Sequence, residues 1–205
     1  RKQLRKRLRR EVRRAGGASS VWVADFLARK KRTLFRHNPG KRRILASNTK
    51  LFTTAAYLAK FGPEHRLRTR VWASGKRTGK DQRVLDGRIV LVGDGDPALS
   101  NRSFARRHGL PHTPMKPLAR AVKRAGILRV NGGIRADDTI FDRKRSVPQT
   151  GITGGPYLSP LSGLSFDSGY DGGRFASDPA RVAGKRLKQA LRNVGVKVLG
   201  RVTIG

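Results

Sequence analysis

Ser47 and Lys50 lie three residues apart in Ala46-Ser47-Asn48-Thr49-Lys50-Leu51. On a helix that spacing turns both side chains to one side within a single turn. A seryl hydroxyl becomes a competent nucleophile when a base removes its proton. A lysine can be that base once it is neutral, and desolvation and neighbouring positive charge both favour the neutral amine. The first turn of an apolar helix offers both conditions, because the helix dipole is positive there. Backbone N–H groups at the same end, that of Ser47 among them, can hold a developing oxyanion. Acyl transfer through a serine ester is the chemistry this pair suits. The spacing alone does not establish it: with 12 Ser and 15 Lys in 205 residues, one Ser-x-x-Lys match is what chance supplies. The competing reading is structural, with Ser47 capping the helix and Lys50 laying its stem along the surface.

Other chemistry-bearing residues form weaker constellations. Asp94 and Asp96 flank Gly95 ahead of Pro97, which reads as a turn at a strand end. Asp137, Asp138 and Asp142 lack metal-loop spacing and have Arg135, Arg143 and Arg145 as neighbours in sequence. His108 and His112 are four apart, but Gly109 and Pro111 break the helix that would align them as ligands. Ser159, Ser162, Ser165 and Ser168 recur every third residue with no base beside them, and read as loop structure. The absence of Cys excludes a disulfide framework, a zinc ribbon and thiol catalysis.

Positioning these groups requires a folded scaffold, and 205 residues can bury a real core. Residues 1–15 place Leu4, Leu8 and Val12 at i, i+4, i+8 among Arg and Lys, a thin apolar stripe on a basic helix lying on a domain, ended by Gly16-Gly17. Residues 21–26 and 32–36 read as strands of a hairpin turning at Arg29-Lys30-Lys31. From residue 51 to residue 59 no residue is charged, and Leu51, Phe52, Ala55, Ala56, Leu58 and Ala59 predict a helix buried nearly all round, terminated by Gly62-Pro63. A strand over 67–73 and a polar turn over 75–81 follow. Residues 84–85 and 89–92 form a strand pair, or one long strand bent at Asp86-Gly87. Residues 101–117, with three prolines, read as loop. Two units then share the order helix, Gly, strand, Gly, strand: residues 118–130 with Gly126, and residues 190–204 with Gly195. The Gly-, Ser- and Pro-rich residues 146–179 connect them.

The charge is extreme: 47 Lys+Arg against 13 Asp+Glu, a formal +34. Residues 1–43 hold 17 of those cations and only Glu11 and Asp25 as acids. Such a surplus attracts a polyanion, whether nucleic acid, an anionic membrane surface or an anionic wall polymer. A uniform Arg bias is equally what a GC-rich genome leaves on solvated faces. No nucleic-acid module is legible, so no specific nucleic-acid partner is expected. No apolar run approaches bilayer length. The chain opens on Arg1 without an apolar signal core, as a chain trimmed at its front would.

The surroundings of Ser47 carry more information than the pair does. Phe61-Gly62-Pro63-Glu64 and Arg66-Leu67-Arg68-Thr69 follow the Ser-x-x-Lys stretch. Then come Leu85-Asp86-Gly87, the run Ile89-Val90-Leu91-Val92-Gly93-Asp94-Gly95-Asp96-Pro97, Gly126-Ile127 with Val130 and Gly132, Asp137-Asp138-Thr139-Ile140-Phe141-Asp142, and Ser159-Pro160-Leu161-Ser162-Gly163-Leu164-Ser165. This ordered set resembles the class C low-molecular-mass penicillin-binding proteins, the serine D-alanyl-D-alanine carboxypeptidase/endopeptidases, over residues 18–205. The resemblance implies an α/β (mixed α+β) fold, part of a penicillin-binding/β-lactamase-like catalytic domain with an inserted α/β region. It divides the chain into a basic N-terminal helix (1–17), the N-terminal part of the serine transpeptidase-like catalytic domain (18–70) and the inserted region (71–205). It makes Ser47 the acylated nucleophile and Lys50 its general base, acting on peptidoglycan stem peptides ending in D-Ala-D-Ala, with β-lactams as covalent inhibitors. It implies no metal or organic cofactor and a protein exported to the cell envelope.

Departures from the family pattern are equally visible. The family completes its site with a Ser-x-Asn motif and a Lys-Thr-Gly strand, and neither occurs here. Lys76-Arg77-Thr78-Gly79 comes nearest and reads as a turn. Leu45 stands where Pro is usual, and Asp167 where Asn is expected. The expectation is therefore the N-terminal portion of such an enzyme, with impaired activity. The alternative is a non-enzymatic cell-wall or polyanion-binding protein on the same fold.

Overall fold

A computed structural model describes residues 1–27, 29–30, 32–146 and 159–205. Lys31, in the expected hairpin turn, and residues 147–158 of the expected connection lie outside the described residues. The chain forms two units, Arg1–His65 and Arg66–Gly205.

In the first unit, helix α1 (Lys2–Arg14) lies against a two-stranded antiparallel ribbon of β1 (Val21–Asp25) and β2 (Arg32–His37). The helix packs on β2, where Arg5 Nε donates to the Leu34 carbonyl at 2.7 Å. Of the expected stripe, Val12 is buried, Leu8 half-buried and Leu4 exposed. The basic helix thus contributes one firm anchor, opposite a ribbon whose Phe35 is also buried. The chain then passes through a 3-10 turn, Ala46–Asn48, into α2 (Thr49–Phe61). Gly62 ends α2 in a positive-φ conformation that a side chain would resist.

The second unit is a two-layer α/β structure. Strand β3 (Arg70–Thr78) pairs antiparallel with β4 (Val84–Val92), and the other ladders of this sheet are parallel. Strand β4 is one strand with a bend. Its first residues, Val84 and Leu85, pair with β5 (Arg129–Val130), and Ile89 to Val92 pair with β6 (Ile134–Asp137). The closing unit repeats the pattern: β9 (Lys197–Val198) adds to β5 and β10 (Val202–Ile204) adds to β6. The two helix-glycine-strand units expected from sequence therefore lie side by side, interrupted at matching places. Glycine is required there because the backbones nearly touch: a Cβ on Gly133 would fall on the Arg201 carbonyl oxygen.

Helices α4 (Lys116–Arg124) and α5 (Pro179–Asn193) pack together in this unit, and α5 also packs on β6, β9 and β10. Alternation along β4 sends Leu85, Ile89 and Leu91 into the core. The α5 stripe Ala180, Ala183, Leu187 and Leu191 meets the same cluster at helical spacing. Asp178 caps α5 by accepting from the Arg181 N–H, and Pro179 occupies the first turn. A small hairpin, β7 (Tyr170–Asp171) with β8 (Arg174–Phe175), precedes α5.

Three local expectations are corrected. Residues 75–78 belong to strand β3, not to a turn: they continue the pairing with β4, Lys76 is exposed, and Arg77 turns to donate to the Gln82 and Ala125 carbonyls. Residues 102–108 form helix α3 (Arg102–His108) inside the expected loop, with Asn101 Oδ1 accepting from the Phe104 N–H and Gly109 closing the end left-handed. The largest correction concerns α2: it buries no residue, with Leu51, Phe52, Leu58 and Phe61 between 45% and 69% exposed. Apolar composition records what a helix would pack against; it does not supply that surface.

Candidate active site

Ser47 sits in the 3-10 turn and Lys50 in the first turn of α2. Lys50 Nζ donates to Ser47 Oγ at 3.0 Å, so the two residues singled out by spacing meet directly. Ser47 is not the helix cap: Asn48 holds that position, without a side-chain capping bond. The serine oxygen is left to the lysine.

Local geometry explains how the turn is held. Ala46 adopts φ +45°, a left-handed conformation that costs a non-glycine residue of order 1 kcal/mol. The Asn48 N–H donates to the Leu45 carbonyl and the Thr49 hydroxyl to the Ala46 carbonyl, both at 2.9 Å, closing the turn around Ser47. Just upstream, Arg43 donates to Ser20 Oγ at 3.1 Å and to the Ser19 carbonyl at 3.2 Å, tying the approach to the segment that enters β1. At the far end of α2, Tyr57 and Phe61 pack with His65, and the Tyr57 hydroxyl lies 2.6 Å from His65 Nδ1. Composition does not signal this aromatic closure; the 57, 61, 65 spacing could have.

Ser47 and Lys50 are both exposed. The oxygen and amine are open to solvent, so the desolvation expected for Lys50 at the head of an apolar helix is not met.

The other candidates resolve into structure. Asp96 accepts from the Ala98 N–H, as a turn residue does, while Asp94 accepts from the distant Arg68 N–H and ties two segments together. Asp137 accepts from the Thr139 hydroxyl at 2.6 Å, and that bond holds its carboxyl below the usual range; Arg135 is 3.5 Å away. Asp138 is 2% exposed and pairs with Arg145 at 2.5 Å. Asp142 accepts from the Lys144 N–H. His108 packs on Phe104, whereas His112 lies 3.4 Å from Ser100 Oγ, so the two imidazoles serve different neighbours. Of the periodic serines, Ser162 Oγ lies 2.7 Å from Asp138 Oδ2. Asp167 is buried, and desolvation pushes its carboxyl up while the Asn101 backbone and side-chain amides donate to it. Among the described residues no group of three or more His, Asp or Glu converges as a metal site.

The chain is 33% identical over 162 residues to the D-alanyl-D-alanine carboxypeptidase of Actinomadura sp. (strain R39), an alignment covering 75% of this chain and 27% of that protein. Its fold matches penicillin binding protein 4 (dacB) from Haemophilus influenzae with a TM-score of 0.66 at 15% identity, covering 91% of this chain and 53% of the other. The same protein complexed with a β-lactam matches with a TM-score of 0.61 at 15% identity, covering 91% of this chain and 52% of the other. The chain thus spans about a quarter of the curated relative and about half of the solved chains. The mixed α/β fold agrees with the class expected from sequence. Residues 2–171 match the family profile, and the chain belongs to the D-Ala-D-Ala carboxypeptidase 3 (S13) family.

Proposed function

We infer that this chain carries the acylation pair of a serine-type D-Ala-D-Ala carboxypeptidase/endopeptidase acting on peptidoglycan stem peptides. The observation that carries the reading is the 3.0 Å bond from Lys50 Nζ to Ser47 Oγ at the head of α2, in a chain of this family. In the reaction, the Lys50 amine, as general base, takes the Ser47 proton as Oγ attacks the carbonyl carbon of the penultimate D-Ala. Backbone N–H groups of the turn stabilise the oxyanion. The peptide C–N bond breaks, and the terminal D-Ala leaves with the proton returned by the Lys50 ammonium. Water, deprotonated by the same amine, then cleaves the Ser47 ester and restores both residues. With a β-lactam the ring amide opens, but the amine stays tethered and the ester persists. The expected division of labour assigns residues 18–70 to the catalytic part and 71–205 to the inserted region.

Turnover by this chain is expected to be slow, because its sequence contains neither Ser-x-Asn nor Lys-Thr-Gly. An exported, envelope location follows from a peptidoglycan substrate; among the described residues no helix is long and apolar enough to cross a membrane. The test is D-Ala release from an N-acylated Lys-D-Ala-D-Ala peptide. The expected result is slow release by the protein and none above background by Ser47→Ala; equal release by both would overturn the reading.

A further inference from the structure

Helix α5 separates two grooves of the second unit, and both are cationic. One, of about 650 Å³, is rimmed by Lys185, Lys188, Arg192 and Lys197, with Val196 and Val198 in its floor. The other, of about 390 Å³, is lined on its charged side by Arg102, Lys116 and Arg186, with His112, Met115 and Phe166 beside them. Gln189, exposed on the crest of α5, belongs to both. No Asp or Glu lines either groove. Of the seven cations, only Arg186 is in an ion pair among the described residues, with Asp171 at 3.0 Å. Asp167 lies behind the second groove, but it is 5% exposed and its oxygens are taken by Asn101.

An unneutralised surface of this kind is a strong anion attractor, and its construction restricts the anion. Lys188 Nζ is anchored on the Gly200 carbonyl at 2.7 Å and Arg192 on Gln189 Oε1 at 2.7 Å, so two of the cations are held in place along the helix. A cationic rim over an apolar floor suits a chain that alternates charged groups with uncharged linkers. The grooves lie on both sides of one ridge, so such a chain can cross α5 and occupy both. Guanidinium forks among the lining residues favour phosphate over a spherical anion.

We propose that the α5 ridge and its two grooves bind a phosphodiester-linked anionic wall polymer and hold the protein on the wall surface that carries its substrate. The inference rests on the wall-facing part of the proposed function and not on the chemistry of Ser47. Binding neutralises phosphates with Lys and Arg, so it falls steeply with salt.

The test uses fluorescently labelled poly(glycerol phosphate), with duplex DNA of equal charge as competitor, at several salt concentrations. The triple variant Lys185→Ala/Arg192→Ala/Lys197→Ala is expected to weaken binding about tenfold or more and to flatten the salt slope by roughly 2. Removing three likewise exposed cations from α1, Lys6→Ala/Arg9→Ala/Arg13→Ala, is expected to change affinity less than about threefold, because the α1 cations, though dense, line neither groove. Equal losses in the two triples would overturn the proposal in favour of diffuse charge, and tighter binding to the duplex would overturn the choice of partner. Binding by Ser47→Ala is expected to match the parent protein, so failure of the catalytic reading and failure of this one are read separately.

Discussion

Replacing Lys50 with alanine is expected to slow acylation of Ser47 by about 10²–10⁴-fold, the usual contribution of a positioned general base. The reason is geometric: the Lys50 amine is the group seen in contact with the Ser47 oxygen, at 3.0 Å. Alanine is the best helix former and Lys50 is exposed in the first turn of α2, so the fold is expected to be unchanged. Lys50→Arg separates two roles. Arginine keeps the positive charge and can reach the same oxygen, but it does not deprotonate at any working pH. A base requires the arginine variant to fall as far as alanine. If Lys50 only positions or polarises Ser47 through its charge, Lys50→Arg retains much of the rate. The measurement is the single-turnover rate of labelling by a fluorescent penicillin, with circular dichroism to verify folding.

Arg145→Ala is expected to destabilise the second unit by about 3–5 kcal/mol, the penalty for stranding a buried carboxylate. Asp138 is 2% exposed; its Oδ2 accepts from Arg145 Nη1 at 2.5 Å and lies 2.7 Å from Ser162 Oγ. The same guanidinium nitrogen donates to the Leu161 carbonyl at 2.9 Å. One side chain therefore neutralises Asp138 and fastens the 161–164 stretch beside it. Adding Asp138→Asn to Arg145→Ala removes the stranded charge, and the double variant is expected to regain a large part of the loss. Urea unfolding followed by Trp72 fluorescence in a Trp22→Phe background reads this unit. A loss below about 1 kcal/mol, within the range of an exposed ion pair, would show that water already solvates Asp138.

What was legible in the sequence follows from which signals are local. The β1–β2 hairpin, the basic helix α1 and the two helix-glycine-strand units were each readable, because periodicity and glycine punctuation lie within a few residues of one another. That the two units add strand to strand, β5 to β9 and β6 to β10, is a pairing across some 70 residues that no local pattern specifies. Helix α3 was hidden because six of its seven residues are at least partly exposed, leaving Ala105 as its buried contact and no apolar stripe to detect. The reach of β3 to Thr78 was hidden for a related reason: Gly75 and Lys76 are exposed, and the polar, glycine-containing run to Thr78 mimics a turn. At the candidate site, the Ser47–Lys50 contact was readable from spacing, since three residues of helix bring two side chains together in almost any context. The left-handed Ala46 that opens the turn was not, because alanine gives no sign that it will adopt φ +45°. Burial of α2 was misjudged because hydrophobicity is a property of the helix and burial is a property of what surrounds it.

The most direct measurement is the site of a covalent β-lactam adduct. The protein, incubated at length with excess benzylpenicillin and digested, is expected to yield one peptide heavier by the intact antibiotic. That peptide contains Ser47, the added mass lies on its side chain, and Ser47→Ala yields none. An adduct on another residue, an adduct that persists in Ser47→Ala, or no adduct at all would contradict the assignment of Ser47 as the acylated nucleophile.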